Sequence, residues 1–270
     1  MFSPKSCLLL PSFVAIVLLS AISLAGCGVV QSAPPQATSP APQGMFVQSK
    51  ACVRSPGYAL PCTLDNPVTA GDLLVLAQQG GSNPYDNLGN IWLPVPNNNT
   101  FNYVLNAKSG VTTVNTPPGA GPFGGSAFAI IAEYQPVVDI DSFQRPDGTV
   151  QPSFSFGSYS TQNLETPQGA SWDWGWVPPI YTDNSCDLLI SYGLSGSPDY
   201  SALHPSRVPT AGPYYTVRDS EYGLLALEDS IAPQPGIYIA SISWNTAAHW
   251  GEGLVAFQTG KTTPCGGLVQ

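Results

Sequence analysis

Ala127 to Tyr134 reads AFAIIAEY, an apolar run in which Glu133 is the only charged residue. Gly-Gly precedes it at 124–125 and Gln-Pro follows at 135–136. A short, continuous apolar stretch bounded by turn residues reads as a strand buried on both faces. The remainder of the chain repeats that pattern at lower contrast. Further strands are expected over Phe46–Lys50, Asp72–Gln78, Asn90–Val95, Phe101–Ala107, Val111–Asn115, Asp187–Tyr192, Tyr214–Arg218, Gly223–Asp229, Gly236–Trp244 and Gly253–Thr259, with the central run itself set at Ser126–Tyr134. Breaks rich in Gly, Pro, Asn and Asp separate them, as at Thr69-Ala70-Gly71-Asp72 and Asn87-Leu88-Gly89-Asn90.

No segment carries a capped, sustained 3.6-residue apolar period, so helix is not expected. Many short strands without βαβ spacing predict an all-β chain, an antiparallel β-sandwich in which alternate residues of each strand enter one core. The stretch from Pro146 to Pro179 is less regular and predicts a long loop insertion, at about residues 146–180.

The pieces VTAGDLLVL (Val68–Leu76), DNLGNIW (Asp86–Trp92), FNYVLNAKSG (Phe101–Gly110), TTV (Thr112–Val114), IIAEYQPVVDID (Ile130–Asp141), CDLLISYG (Cys186–Gly193) and GLVAFQ (Gly253–Gln258) follow one another in order. Together they resemble an extracellular β-sandwich module of secreted and surface-attached bacterial proteins. The resemblance implies a jelly-roll-like sandwich and implies no catalytic residues. Asp141 to Cys186 departs from it.

The N-terminal end carries a different signal. Lys5 is the only charge before an apolar run, Leu8–Leu24, that closes on Leu24-Ala25-Gly26-Cys27. A basic start, an apolar middle and small residues before the cut are the layout of an export signal. LAGC resembles the lipobox of bacterial lipoproteins, and the resemblance implies a signal peptide at 1–26 and diacylglycerol and acyl chains, palmitate among them, on Cys27. Two or more such chains hold a protein stably on a membrane, at about 0.8 kcal/mol per buried methylene. Residues 27–44 are rich in Pro, Ser, Thr, Gln and Ala and cannot bury a core, so they read as a tether. At about 3 Å per residue it would reach roughly 50 Å. A single domain is then expected over 45–270, outside the membrane, at the outer membrane or cell surface.

Composition agrees with an exported body. Charged residues make up 9% of the chain, against about 25% in typical soluble proteins, while 43% are hydrophobic, with 28 Pro and 27 Gly. Loss of Lys5 with the signal leaves seven basic residues against seventeen acidic ones. That balance disfavours nucleic acid and anionic lipid as partners. The expected partners are the membrane, through the lipid, and a glycan or another envelope protein; no cofactor is expected. With Cys7 in the signal and Cys27 lipidated, Cys52, Cys62, Cys186 and Cys265 remain, an even number suited to disulfides in an oxidising compartment. Three pairings are open to four cysteines. Cys52–Cys62, closing a short Pro-containing loop, with Cys186–Cys265 is the preferred one. Zinc is disfavoured by the absence of C-x-x-C spacing and by only two His.

Candidate chemistry is sparse, and the chain is not expected to be an enzyme. Trp172, Trp174 and Trp176 in SWDWGW alternate with Asp173 and Gly175, and in a strand the three indoles would share one face. Such a platform stacks on sugar rings, with Asp173 and neighbouring amides for the hydroxyls; the plain alternative is that the indoles cap a core. This segment carries the second functional reading, a lectin-like or carbohydrate-active protein. Asp139 and Asp141 form a D-x-D pair that could hold calcium with further oxygens, and Asp183, Asn184 and Asp187 form another oxygen-rich cluster. Short acidic runs beside strands more often serve as turn caps. Asp86-Asn87-Leu88-Gly89-Asn90 reads as a tight turn. A Ser–His–Asp triad would have to use His204 or His249, and no G-x-S-x-G elbow is present. Glu133, Glu165, Glu221, Glu228 and Glu252 are the carboxylates from which a glycosidase pair could be drawn, given two about 5–10 Å apart across a cleft.

Overall fold

Successive side chains of a strand point to opposite faces, so a strand apolar at every position needs cover on both sides. The computed structural model of the chain supplies that cover. It describes residues 45–54, 60–78, 83–96, 98–117, 127–145, 147–159, 179–196, 209–211, 215–221, 225–240, 242–244, 249–261 and 265. The strands are, in chain order, β1 (Phe46–Arg54), β2 (Leu60–Thr63), β3 (Leu73–Gln78), β4 (Tyr85–Asp86), β5 (Leu93–Val95), β6 (Asn98–Val104), β7 (Thr113–Thr116), β8 (Ala127–Tyr134), β9 (Asp139–Ile140) and β10 (Ser142–Gln144). They continue with β11 (Val150–Pro152), β12 (Phe154–Tyr159), β13 (Ile180–Thr182), β14 (Asp187–Gly196), β15 (Pro209–Thr210), β16 (Thr216–Glu221), β17 (Leu225–Ala232), β18 (Gly236–Tyr238), β19 (Ser243–Trp244) and β20 (His249–Gln258). Among the described residues there is no helix.

Two antiparallel sheets form the sandwich. The first runs β1-β8-β3-β6-β5; the second runs β12-β20-β14-β17-β16, with β9 also on β20. Counted in each sheet's own chain order, both read first, fifth, second, fourth, third. The short strands repeat the plan as well: β2 and β4 both pair with β7, while β13 pairs with β18 and β15 with β19. The chain is thus two successive halves built on one strand topology, each contributing one sheet.

Between the sheets, Leu73, Val75, Phe101, Phe128, Ile130 and Tyr134 of the first meet Leu188, Ile190, Tyr192, Leu227, Val255 and Phe257 of the second in one buried core. Each such side chain contributes about 1.5–3 kcal/mol when fully buried. The outer face of the first sheet (Leu74, Leu76, Ala129, Ile131) packs on Val68, Trp92, Val111 and Val114. That of the second (Leu189, Leu254, Ala256) packs on Ile180, Tyr215, Tyr238 and Ala240. Double cover explains why every residue of β3 and of β17 is buried, and why AFAIIAEY lies between β1 and β3 rather than at an edge.

Among the described residues, polar side chains join the sheets around Arg218 and around Tyr192. Arg218 of β16 donates from Nε to Asp229 Oδ2 at 2.8 Å and lies 4.6 Å above the Phe46 ring of β1. Tyr192 stacks on Phe101 at 5.1 Å between centroids, and its hydroxyl meets Asn98 Nδ2 and Thr100 Oγ1 of β6. Disulfides join Cys52 to Cys62 and Cys186 to Cys265, the preferred pairing.

Three expectations need correction. Asn90–Val95 does not run as one strand; β5 starts only at Leu93, because the Asp86 carboxylate draws in the N–H groups of Leu88 and Asn90 and the Trp92 indole N–H. Gly236–Trp244 is split into β18 and β19, with Ile239 exposed between them. The stretch from Pro146 is not loop throughout, since residues 150–159 form β11 and then β12, which pairs along β20 from Phe154↔Val255 to Tyr159↔Trp250.

Candidate functional site

The two halves place a pair of acids at matching points. In the first, Gly71 turns the chain with φ 90° and Asp72 follows, immediately before β3. Leu74 of β3 stands opposite Glu133 of β8, which brings the Asp72 and Glu133 carboxyls to the same outer face. Glu133 is fully buried; Gln48 Nε2 donates to its Oε2 at 2.6 Å and the Thr69 N–H to its Oε1 at 2.8 Å. Burial, and then a hydrogen bond with the Glu133 carboxyl and its charge, push Asp72 up to about 7. Both causes favour the protonated form of Asp72 beside Glu133.

In the second half, Cys186 takes the turning position with φ 68° and Asp187 opens β14. Left-handed backbone at a residue with a Cβ costs about 1–2 kcal/mol; here the Cys265 disulfide and the Thr259 hydroxyl, donating to the Cys186 carbonyl at 2.8 Å, hold it. The partner of Asp187 comes from outside the strand. Asp141 donates its N–H to the Ala256 carbonyl of β20, which sets its side chain beside Asp187. Asn184 Nδ2 at 2.6 Å and Gln258 Nε2 at 3.0 Å donate to Asp141 Oδ1, and Ser153 Oγ at 2.8 Å donates to Oδ2. Neither oxygen of Asp187 receives a hydrogen bond from an N–H or hydroxyl. Burial, then the charge of Asp141, a hydrogen bond with its carboxyl and the charge of Asp183, push Asp187 up to about 9.

Asp139 and Asp141, the D-x-D pair of the sequence, have different surroundings in the structure. Asp139 is exposed, accepts the Ile140 N–H at 2.7 Å and acts on Tyr103, whereas Asp141 is fully buried. Asp183 is exposed and accepts the Gln144 N–H at 3.2 Å. What does converge is Asp141 with Asn184 and Asp187, across a sequence gap that spacing alone does not bridge.

Glu228 of β17 and Glu252 of β20 lie on the outer face of the second sheet, on either side of β14. Glu228 stands opposite Ser191 and Glu252 opposite Gly193, so two strand spacings and a two-residue stagger put their backbones roughly 12 Å apart. Both are buried beneath Tyr215 and Ile242. Glu252 Oε1 accepts from Ser191 Oγ at 3.0 Å and from the Ile242 N–H at 3.1 Å, and burial pushes it up to about 8. Burial, with the Glu228 and Glu252 carboxyls, also holds the Tyr215 phenol well above its ordinary range. Glu221 sits at the end of β16, partly exposed and raised by burial and by Asp219.

Cys27, Trp172, Asp173, Trp174, Trp176, Glu165 and His204 lie outside the described residues. His249 begins β20, opposite Gly196. Among the described residues no helix is long and apolar enough to cross a membrane. Compared with family models, curated proteins and solved structures, the chain matches none of them.

Proposed function

We propose that this chain is a lipid-anchored protein of the bacterial envelope whose β-sandwich serves as a binding, adhesion or structural module. One observation carries the reading: Cys52, Cys62, Cys186 and Cys265 pair among themselves. Disulfides persist in oxidising, extracytoplasmic compartments. With Cys7 read as part of the signal, their pairing leaves Cys27, in its lipobox setting, as the mature cysteine for lipid. The doubly covered sheets suit a rigid body held outside the membrane.

Expression in a bacterial host with an alkyne-bearing palmitate analogue tests the anchor. Label on the wild type, lost in Cys27→Ser along with membrane retention, is the expected result; an unlabelled wild type with a free mature terminus by mass spectrometry would reject it. A glycan array tests the partner. Binding that Trp174→Ala weakens would make the partner a carbohydrate, through the Trp172/Trp174/Trp176 segment.

A further inference from the structure

We propose that Asp141 and Asp187 bind a calcium ion, with side-chain oxygens of Asn184, Gln258 and Ser153 completing the set. The inference stands apart from the envelope reading and rests on local chemistry. Asp141 and Asp187 are 0% and 1% exposed, with their carboxyls in contact. A buried carboxylate is stable when donors or a cation satisfy it. Asp141 faces three donor groups, of which the Ser153 hydroxyl is shared with the Tyr181 carbonyl; Asp187 takes no N–H or hydroxyl donor on either oxygen and meets the Asp141 carboxyl itself. The charges acting on Asp187, those of Asp141 and Asp183, carry its own sign.

The matching pair in the first half makes the contrast plain. There, residues 64–72 form the longer connection, and it brings a backbone N–H, that of Thr69, onto the Glu133 carboxylate. In the second half the connection shrinks to residues 183–186, and what it brings to Asp141 is the Asn184 side chain. The groups gathered here are oxygen-bearing: two carboxyls, two amides and a hydroxyl. A half-turn of each amide sends its oxygen toward the place its nitrogen now holds. Calcium takes six to eight such oxygens in flexible geometry, whereas magnesium demands a stricter octahedron. Among the described residues no three His, Cys, Asp or Glu side chains converge. With two carboxylates, affinity falls in the range of extracellular modules, with Kd about 10⁻⁴–10⁻³ M.

The test is thermal unfolding of the full chain, first stripped with EDTA and then titrated with calcium chloride. A saturable rise in Tm of about 5–10 °C at 100-fold excess over Kd is expected. Asp187→Asn should abolish the rise, while Asp139→Asn, at the exposed neighbour, should keep it. If Asp187→Asn fails to fold, Gln258→Ala should raise the apparent Kd roughly tenfold. Equal Tm in calcium and EDTA would overturn the proposal, as would a calcium response that survives in Asp187→Asn or, with that variant unfolded, an unchanged Kd in Gln258→Ala.

Discussion

Asp72→Asn should stabilise the protein at pH 8 and leave it nearly unchanged at pH 4. In the native state the Asp72 carboxyl is pushed up to about 7, and in the unfolded chain it titrates near about 3.9. Between those values the folded protein holds a proton that the unfolded chain has released. Stability therefore falls as pH rises through this window and levels off above it. A difference of about 3 pH units corresponds to about 4 kcal/mol as an upper bound. Water reaching the end of the strand and relaxation of the turn reduce this to about 2 kcal/mol. Asparagine cannot ionise, and its amide N–H can donate to Glu133 as the protonated acid does. The variant should therefore match the wild type in acid and exceed it by about 4–8 °C in Tm at pH 8. Scanning calorimetry from pH 4 to 9, with both proteins in EDTA, measures the difference. Parallel curves, or a wild type that gains on the variant toward high pH, would show that Asp72 does not hold a proton beside Glu133.

Gly253→Ala should destabilise by about 2–3 kcal/mol, because the added methyl would lie 2.6 Å from Tyr192 Cζ. Tyr192 is fully buried and tied to Asn98 and Thr100, so it cannot give way, and a lowered Tm checks the effect. Arg218→Met should cost about 3–5 kcal/mol at pH 8 by leaving Asp229 charged and buried. The loss should shrink in acid, since burial already raises Asp229 against the opposing pull of Arg218, and urea unfolding at two pH values measures it. Cys265→Ala should lower stability more than Cys62→Ala does. The sequence separations are 79 and 10, and loop-closure entropy puts the losses at about 4.5 and about 3 kcal/mol.

Period and punctuation made the long strands legible. Ala127–Tyr134, Asp72–Gln78 and Asp187–Tyr192 carry continuous apolar runs because both of their faces are covered, and that cover is itself written in the run. Strands of two to four residues, such as β4, β9 and β15, are too short to express a period, and their pairing depends on neighbours brought from elsewhere. Phe154–Tyr159 was hidden for another reason: Ser155 and Gly157 break the apolar run that marks the other long strands. The acid cluster was half legible. Asp141 and the DNSCD segment each stood out as oxygen-rich, but 46 residues separate Asp141 from Asp187, and only the path of β20 beside β14 joins them. Asp139 was drawn in by an alternation that ends at Ile140, where β9 ends.

The shared strand plan of the two halves raises the question of why one half would not serve twice. One pair of positions answers it. Ala77 of β3 stands opposite Ile130 of β8 in the first sheet, while Tyr192 of β14 stands opposite Gly253 of β20 in the second. These pairs occupy the same place in the common topology, four residues in from the leucine that follows each turning Asp. Small faces large in one sheet and large faces small in the other. The Tyr192 ring crosses to stack on Phe101 of the first sheet, and glycine at 253 leaves it room. Two first halves would leave that space unfilled, and each missing ring would cost packing of the kind that makes large-to-small core changes worth about 3–5 kcal/mol. Two second halves would offer the Tyr192 ring Leu227, the counterpart of Phe101, and would lack the Asn98 and Thr100 partners for its hydroxyl. The inner faces fit each other and not themselves, so the duplicated topology closes as one sandwich within a single chain.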